Sequence, residues 1–167
     1  MMIIVAGLPG SGKSFFAVRL ADRVGAQYIN SDKVRNALKK RGQYSLSDKF
    51  KVYREMVQLA EEGLQKKLPI VVDATFYLRS IRDMFYDLAG KWGVPVFLIE
   101  IIAKENLIQK RLRQDRKDSQ ADFLVYQKVK EAFELIGRPH LILKSTDDNI
   151  EQLLEDALQY VGVTYGK

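Results

Sequence analysis

The sequence predicts a three-layer α/β/α fold: a five-stranded, mainly parallel sheet with helices on both faces and a short lid. Two observations predict it. Five short apolar runs alternate with longer segments whose apolar residues recur at three- and four-residue steps, the spacing of amphipathic helices. A glycine-rich loop, 7–14, stands between the first apolar run and the first helical segment. Near-continuous apolar strands are typical of a parallel sheet that is covered on both faces.

Each strand is predicted from a short apolar run. The first run, 2–6, is long enough for one buried strand and leads directly into the glycine-rich loop. Pro69 opens the third strand, and the fourth is apolar except for Glu100. The predicted strands are 2–6, 27–30, 70–73, 95–102 and 141–143.

The helices are predicted from periodicity and from capping residues. Ser31 and Asp32 are expected to cap the second helix, and Ser45 with Asp48 forms a capping pattern before the third. Glycines between 90 and 93 end the fourth helix. The predicted helices cover residues 15–21, 34–40, 50–64, 81–89, 107–112, 123–136 and 150–161.

The loop 7–14 matches the pattern G-x-x-x-x-G-K-[ST] of the P-loop NTPase fold. Between a strand and a helix, its backbone N–H groups and the positive end of the helix dipole would meet a phosphate. Lys13 reaches the β- and γ-phosphates as a mobile charge, and the Ser14 hydroxyl is a ligand for Mg²⁺. The predicted ATP-binding residues of this segment are Gly10, Ser11, Gly12, Lys13, Ser14 and Phe15.

Composition predicts one soluble domain spanning residues 1–167. The chain has 47% hydrophobic and 29% charged residues, which is typical of a globular protein. It has no cysteine, which excludes a disulfide framework, a thiolate zinc site and a catalytic thiol. The N-terminus has no basic leader pattern, and no apolar run approaches 18 residues. The expectation is therefore a cytoplasmic protein without a membrane partner.

The positive charge is concentrated in one part of the chain. The formal net charge is +6, and the stretch 33–67 holds ten Lys or Arg residues against four acids. A basic region attracts a polyanion such as nucleic acid. The stretch is equally compatible with two solvated helix faces, and both interpretations remain open at this level.

The carboxyl ends of the predicted strands select further site residues, because ligands of such sheets bind there. Asp73 ends the third strand, where it would hold Mg²⁺ through a water, hydrogen-bond Ser14, or serve as a turn residue. The second strand is followed by Asp32, either a helix cap or a group that orients an acceptor hydroxyl. Thr146 follows the fifth strand, where a loop would hold the nucleotide's base.

Arginines provide the remaining candidates. Arg35 lies one helical turn after Asp32 and would hold an acceptor's phosphate, unless it is simply a solvated helix charge. Arg111, Arg113 and Arg116 precede a polar stretch, and a segment of this kind is typical of a lid, here about 110–125, that closes over ATP. At least one of the three is expected on phosphate, although spacing does not select which.

Four stretches together resemble the predicted-kinase branch of the P-loop kinases, which includes the kinase domain of phage polynucleotide kinase and its bacterial RNA-repair relatives. The resemblance spans residues 2–135. It rests on Gly7-x-Pro9-Gly10-Ser11-Gly12-Lys13-Ser14, on Asn30-Ser31-Asp32-x-x-Arg35, on Val71-Val72-Asp73-Ala74-Thr75, and on an arginine-rich segment leading to Asp118-Ser119-Gln120-Ala121-Asp122.

The resemblance implies ATP and Mg²⁺ as cofactors and gives each residue a role. Asp32 would be the general base, Arg35 would grip the acceptor's phosphate, and one lid arginine, assigned as Arg116, would clamp the transferring phosphate. Lys13 would bind the phosphates of ATP, and Ser14 and Asp73 would hold the Mg²⁺ ion. One departure is visible: the usual lid arginine position holds Asp115 here, with Arg116 next to it.

The function predicted from the sequence is an ATP-dependent kinase acting on a hydroxyl group. A 5′-hydroxyl polynucleotide or nucleoside-like acceptor is preferred narrowly over a small metabolite such as a sugar or antibiotic, because Asp32, Arg35 and the basic stretch occur together. The other classes are an ATP-binding regulatory switch without an acceptor, and a nucleic-acid-binding module whose loop binds no nucleotide. No motif encodes the acceptor, the choice of ATP over GTP, or the oligomeric state.

Overall fold

The structure, a computed structural model, describes residues 1–113 and 122–163. Within these residues five strands alternate with seven helices. The strands are β1 (Met2–Ala6), β2 (Gln27–Asn30), β3 (Ile70–Asp73), β4 (Val96–Ile102) and β5 (Leu141–Lys144). The helices are α1 (Lys13–Val24), α2 (Ser31–Ala37), α3 (Leu46–Gln65), α4 (Arg79–Trp92), α5 (Glu105–Leu112), α6 (Phe123–Glu131) and α7 (Ile150–Tyr160).

The five strands form one sheet in the order β2-β3-β1-β4-β5. Every pairing of neighbouring strands is parallel. The predicted three-layer fold is thus confirmed. From β1 the chain crosses toward β2 on one side of the sheet, whereas from the neighbouring β4 it crosses toward β5 on the other side, and in such sheets a ligand crevice opens at the carboxyl ends of two strands of this kind.

Alternating side chains of β1 pack into two separate cores. Met2 and Ile4 lie in a core with residues of α3 and α4, whereas Ile3 and Val5 pack with α1 and α7 on the opposite face. All five β1 residues are fully buried. A strand buried on both faces must be apolar throughout, which explains why the run 2–6 has no polar residue.

The second and sixth helices are among those whose boundaries differ from the prediction. The second helix begins at Ser31, and its N-cap is Asn30, whose side chain accepts a hydrogen bond from the Lys33 N–H at 3.0 Å. The expected capping role of Ser31 and Asp32 is therefore wrong, and the Asp32 carboxylate is not the helix cap. The helix expected over 123–136 ends at Glu131.

Contacts between distant segments end α6 early. The Glu134 N–H donates to the Tyr77 carbonyl at 2.8 Å. Arg82 Nη2 donates to the carbonyls of Glu134 and Leu135, each at 3.1 Å. Because these backbone groups are bonded to Tyr77, in the loop before α4, and to Arg82 of α4, they do not continue a helix.

The lid predicted over about 110–125 is described only at its two ends. Its first residues belong to α5, and its last residues begin α6. Residues 114–121, including Arg116, lie outside the described residues. None of the described helices is both long enough and apolar enough to span a bilayer.

Candidate active site

The glycine-rich loop leads straight into α1. Gly12 is the N-cap, with φ +92° and no side chain to cap the helix, and Gly10 has φ +82°. The first N–H groups of a helix have no partner within the helix, so this end presents donors and positive dipole to a phosphate. A Cβ at Gly12 would lie 3.0 Å from Arg111 Nη1 and 3.2 Å from Ser145 Oγ, so glycine is required for close approach as well as for backbone conformation.

Arg111 fastens this loop to the carboxyl end of β5. Its Nη1 donates to the Ser11 carbonyl at 3.1 Å and to Ser145 Oγ at 2.9 Å, while its Nη2 donates to the Thr146 carbonyl at 2.9 Å. Ser145 Oγ in turn donates to the Ser11 carbonyl at 2.5 Å. The guanidinium thus holds two segments that are more than 130 residues apart in the chain in one arrangement.

Replacing Arg111 with alanine is expected to lower the free energy of unfolding by about 2–3 kcal/mol, because several charge-assisted hydrogen bonds are lost at a largely buried position. Arg111→Lys should not restore it, since an ammonium cannot reproduce the fork of donors. Urea unfolding without nucleotide measures the change. Lys110→Ala, which removes an exposed ion pair, is the matched control and should cost less than about 1 kcal/mol. An Arg111→Ala protein as stable as that control contradicts the anchoring role.

A cleft of about 650 Å³ opens beside the loop and the start of α1. Phe15 forms one wall with 55% of its surface exposed, and the Arg19 guanidinium lies 3.5 Å from its ring centroid. The predicted ATP-binding residues that line it are Gly10, Gly12, Lys13, Ser14, Phe15, Arg111 and Thr146. Ser11, which belongs to the same loop, is buried and lines neither this cleft nor the second one. Arg113 is exposed at the end of α5 and lines neither this cleft nor the one described below.

Asp73 is fully buried in a small polar network at the ends of β2 and β3. Its Oδ2 accepts hydrogen bonds from the Tyr28 hydroxyl and from Asn30 Nδ2, both at 2.6 Å. Burial, together with the charge of Asp73, raises the pKa of Tyr28 well above its ordinary value, so this phenol remains a donor. Asn30 Nδ2 also lies 3.4 Å from Ser14 Oγ. Asn30 therefore stands between Ser14 and Asp73, and the direct hydrogen bond that the sequence allowed does not form.

The donor set at this point fits a magnesium ion carried by a nucleotide. Asp73 Oδ1 is buried and has no hydrogen-bond partner among the described residues. Serine hydroxyl and carboxylate oxygen are hard ligands, and Mg²⁺ typically takes one or two protein oxygens, with waters and substrate phosphates completing its shell. In the described part of the chain no three His, Cys, Asp or Glu residues form a metal cluster.

A second cleft, of about 350 Å³, lies on the other side of the loop. Asp32 and Arg35 contribute to it from α2, with Tyr44, Tyr53 and Tyr77 as aromatic walls. Burial raises the pKa of Tyr53 to about 12, while burial and the charge of Asp32 raise the pKa of Tyr44. Both predicted acceptor residues, Asp32 and Arg35, thus line one cavity together with Lys13 and Ser14 of the loop.

The Arg35 side chain is buried and makes most of its contacts within the protein. Only 6% of its surface is exposed; its Nη1 donates to the Gln43 carbonyl at 2.6 Å, and its guanidinium lies 4.6 Å from the Tyr44 ring centroid. Its Nε is buried without a hydrogen-bond partner among the described residues. A buried charged donor that lacks a partner destabilises the folded protein, so the Arg35 Nε–H group is suited to donate a hydrogen bond to a ligand.

The two clefts meet at Lys13 and Ser14, which line both. A phosphate held by the loop would therefore lie between a nucleotide on one side and an acceptor on the other. Phosphoryl transfer between two bound substrates requires adjoining sites of this kind.

Several site residues escaped sequence analysis. Asn30 is the clearest, because a polar residue at the carboxyl end of a strand obeys the same rule that selected Asp73. Tyr28, Lys49 and Lys128 carried no signal, since each is an ordinary helix or strand residue until the chain folds. Tyr44 and Tyr77 line the cleft of Asp32 and not the cleft of Phe15.

Comparison with known proteins places residues 2–136 in a family model described as an AAA domain. A curated relative is the shikimate kinase of Bartonella quintana (strain Toulouse), which is 30% identical over 101 residues. That match covers 58% of this chain and 46% of the relative, so the chain spans about half the length of the curated relative that it matches.

Solved structures resemble the whole chain. A sugar kinase from Janibacter sp. HTCC2649 has a TM-score of 0.73 at 20% identity, with 98% of this chain and 95% of that chain covered. An APS kinase from Mycobacterium tuberculosis, in complex with AMPPNP and APS, has a TM-score of 0.73 at 18% identity, covering 96% of each chain. A gluconokinase from Sinorhizobium meliloti 1021 has a TM-score of 0.72 at 20% identity, covering 96% of this chain and 91% of that chain. These likenesses show a shared fold, that of the P-loop kinases.

Proposed function

This chain belongs to the AAA domain family, and we propose that it acts as an ATP-dependent kinase that transfers the γ-phosphate of ATP to a hydroxyl group of a small molecule. The observation that carries the proposal is the junction of the two clefts at Lys13 and Ser14. One cleft has the size and the loop for a nucleotide, and the other contains a carboxylate suited to take a proton.

The proposed reaction uses the residues of both clefts. ATP lies in the 650 Å³ cleft with its phosphates against the loop and Lys13. The acceptor's oxygen attacks the γ-phosphorus, the bond to the β-phosphate oxygen breaks, and the hydroxyl proton passes to the Asp32 carboxylate. Arg35 and Lys13 orient the two substrates. When bound, Mg²⁺ would neutralise phosphate charge; Ser14 and Asp73 are the residues that would hold it.

A small acceptor fits the second cleft better than a polynucleotide does. Its volume of about 350 Å³ is at the lower end of the range for small-molecule sites. The relatives reported above are also named as kinases of small molecules: shikimate kinase, sugar kinase, APS kinase and gluconokinase.

The basic stretch 33–67, which favoured a polynucleotide, is not one surface. Arg35 is buried, and Lys40 pairs with Asp48 at 2.8 Å. Lys49 lines the acceptor cleft, whereas Lys66 follows the opposite end of α3, about 25 Å away at 1.5 Å of rise per residue. The charge is therefore distributed over separate sites instead of forming a track for a nucleic-acid strand.

A transfer assay tests the proposal. With γ-labelled ATP and magnesium, we expect label on at least one member of a panel of hydroxylated sugars, polyols and hydroxy acids, and none on 5′-hydroxyl oligonucleotides. Label on the oligonucleotides alone would overturn the small-molecule acceptor and favour the polynucleotide. Slow release of inorganic phosphate with no labelled product across the panel would instead favour the regulatory switch.

A further inference from the structure

We propose that Lys49 and Lys128 form an anion-binding subsite in the acceptor cleft, so that the acceptor is a small hydroxylated acid carrying a carboxylate or phosphate group. The proposal rests on the proposed function for the word acceptor, but the subsite itself is defined by binding and can be tested without any transfer of phosphate.

Lys49 is held in position by an aromatic residue rather than by an acid. Its Nζ donates to the Tyr77 hydroxyl at 3.1 Å and lies 4.8 Å from the Tyr77 ring centroid. The adjacent acid, Asp48, is occupied by Lys40 at 2.8 Å. An ammonium has three donors, so this arrangement leaves Lys49 with capacity for a ligand.

Lys128 approaches the same cleft from α6, nearly eighty residues further along the chain. Within residues 1–113 and 122–163, the ion pairs include neither Lys49 nor Lys128 nor Arg35. Three cations from α2, α3 and α6 thus line one cavity, and none of the three is ion-paired to another described residue.

The charge balance of the cleft favours an anion. Its described lining contains one carboxylate, Asp32, against Lys13, Arg35, Lys49 and Lys128. In the proposed reaction Lys13 neutralises the phosphates of ATP. The three other cations then exceed the single negative charge of Asp32 by two. Clustering like charges is unfavourable, and a bound carboxylate or phosphate would relieve it through charge-assisted hydrogen bonds. The buried Nε of Arg35, which has no partner among the described residues, is a further donor to such a group.

The uncharged walls of the cleft indicate what carbon skeleton the ligand would have. Tyr44, Tyr53 and Tyr77 face Val125 and Val129 around the cleft. These walls are apolar with hydroxyl groups at their edges, which suits a ring or short carbon skeleton carrying hydroxyls. A compact hydroxy acid satisfies both the walls and the charges.

Calorimetric titration of the full chain, saturated with AMPPNP and Mg²⁺, tests the subsite. AMPPNP fills the phosphate loop, so anions that still bind must use another site. The probes are matched pairs: shikimate and its methyl ester, gluconate and sorbitol, and glycerol 3-phosphate and glycerol. We expect at least one acid to bind about tenfold or more tightly than its neutral partner, because a charged contact is lost in the neutral compound.

Variants assign the binding to the two lysines. Lys49→Gln and Lys128→Gln should each weaken the acid about tenfold without changing AMPPNP affinity or the melting temperature, since glutamine retains length and a donor. Lys51→Gln, an exposed lysine of the same helix that lines neither cleft, should have no effect. Acids that bind no better than their neutral partners, or lysine variants that behave like Lys51→Gln, overturn the subsite.

The two proposals fail separately. Binding of an acid that depends on Lys49 and Lys128, with no phosphate transferred to it or to any panel compound, would support the subsite and overturn the kinase. Transfer to a neutral acceptor at a rate that the Lys49 and Lys128 variants do not change would support the kinase and overturn the subsite. If the acid is also the substrate, the lysine variants should raise KM about tenfold and leave kcat nearly unchanged, as expected for residues that bind rather than react.

Discussion

Replacing Asp32 with asparagine is expected to lower kcat for the accepted substrate by about 10²–10⁴-fold, the range typical of a lost general base. Asparagine has nearly the same size but cannot take the proton of the attacking hydroxyl. The change should leave the fold intact, because the cap of α2 is Asn30 and not Asp32. Single-turnover transfer measures the loss, and calorimetry with AMPPNP checks that nucleotide affinity is unchanged.

Asp22→Asn is the matched control, because this exposed aspartate of α1 lines neither cleft. It should retain the parent kcat. Activity of Asp32→Asn within threefold of that control would rule out proton transfer to Asp32. A variant that melts at a much lower temperature would show that Asp32 stabilises the cleft, and its loss of activity would then count against a role as the base.

The second large effect is expected at Lys13. Changing Lys13 to methionine, which keeps the length of the side chain but removes its charge, should lower kcat/KM for ATP about 10³-fold. Lys13 lines both clefts, so in the proposed reaction its ammonium would lie where charge develops during transfer. The melting temperature should not fall, because removing one cation beside Arg35, Lys49 and Lys128 relieves repulsion in the empty protein.

Steady-state kinetics over a range of ATP concentrations separates the two parts of this effect. A loss in kcat shows that the ammonium acts mainly on the transition state, and a rise in KM shows that it acts on bound ATP. Lys51→Met, on the exposed face of α3, is the charge-matched control. Unchanged kinetics in Lys13→Met would contradict the placement of the γ-phosphate at the junction of the clefts.

The sequence was sufficient to predict the fold, and it also predicts the nucleotide side of the site, because both depend on local patterns. The apolar run 2–6 and the loop 7–14 specify a buried strand followed by a phosphate-binding turn. The rule that parallel strands present ligands at their carboxyl ends then selected Asp32 and Asp73 without knowledge of their neighbours. Side-chain contacts in the folded chain changed two of these predictions. The N-cap of α2 is Asn30 rather than Asp32, and Asn30 lies between Ser14 and Asp73.

The acceptor side depended on tertiary structure. Lys49 and Lys128 lie nearly eighty residues apart, and no periodicity relates them, yet α3 and α6 bring both to one cavity. The position of Arg111 is equally non-local, since its partners include the carbonyls of Ser11 and Thr146. Strand and loop patterns are written in adjacent residues, so the sequence alone determined the fold and a phosphate-binding loop. The convergence of charges depends on how helices pack, so only the tertiary structure brings Lys49 and Lys128 to the cavity of Asp32 and Arg35, the observation on which the proposal of an acidic acceptor rests.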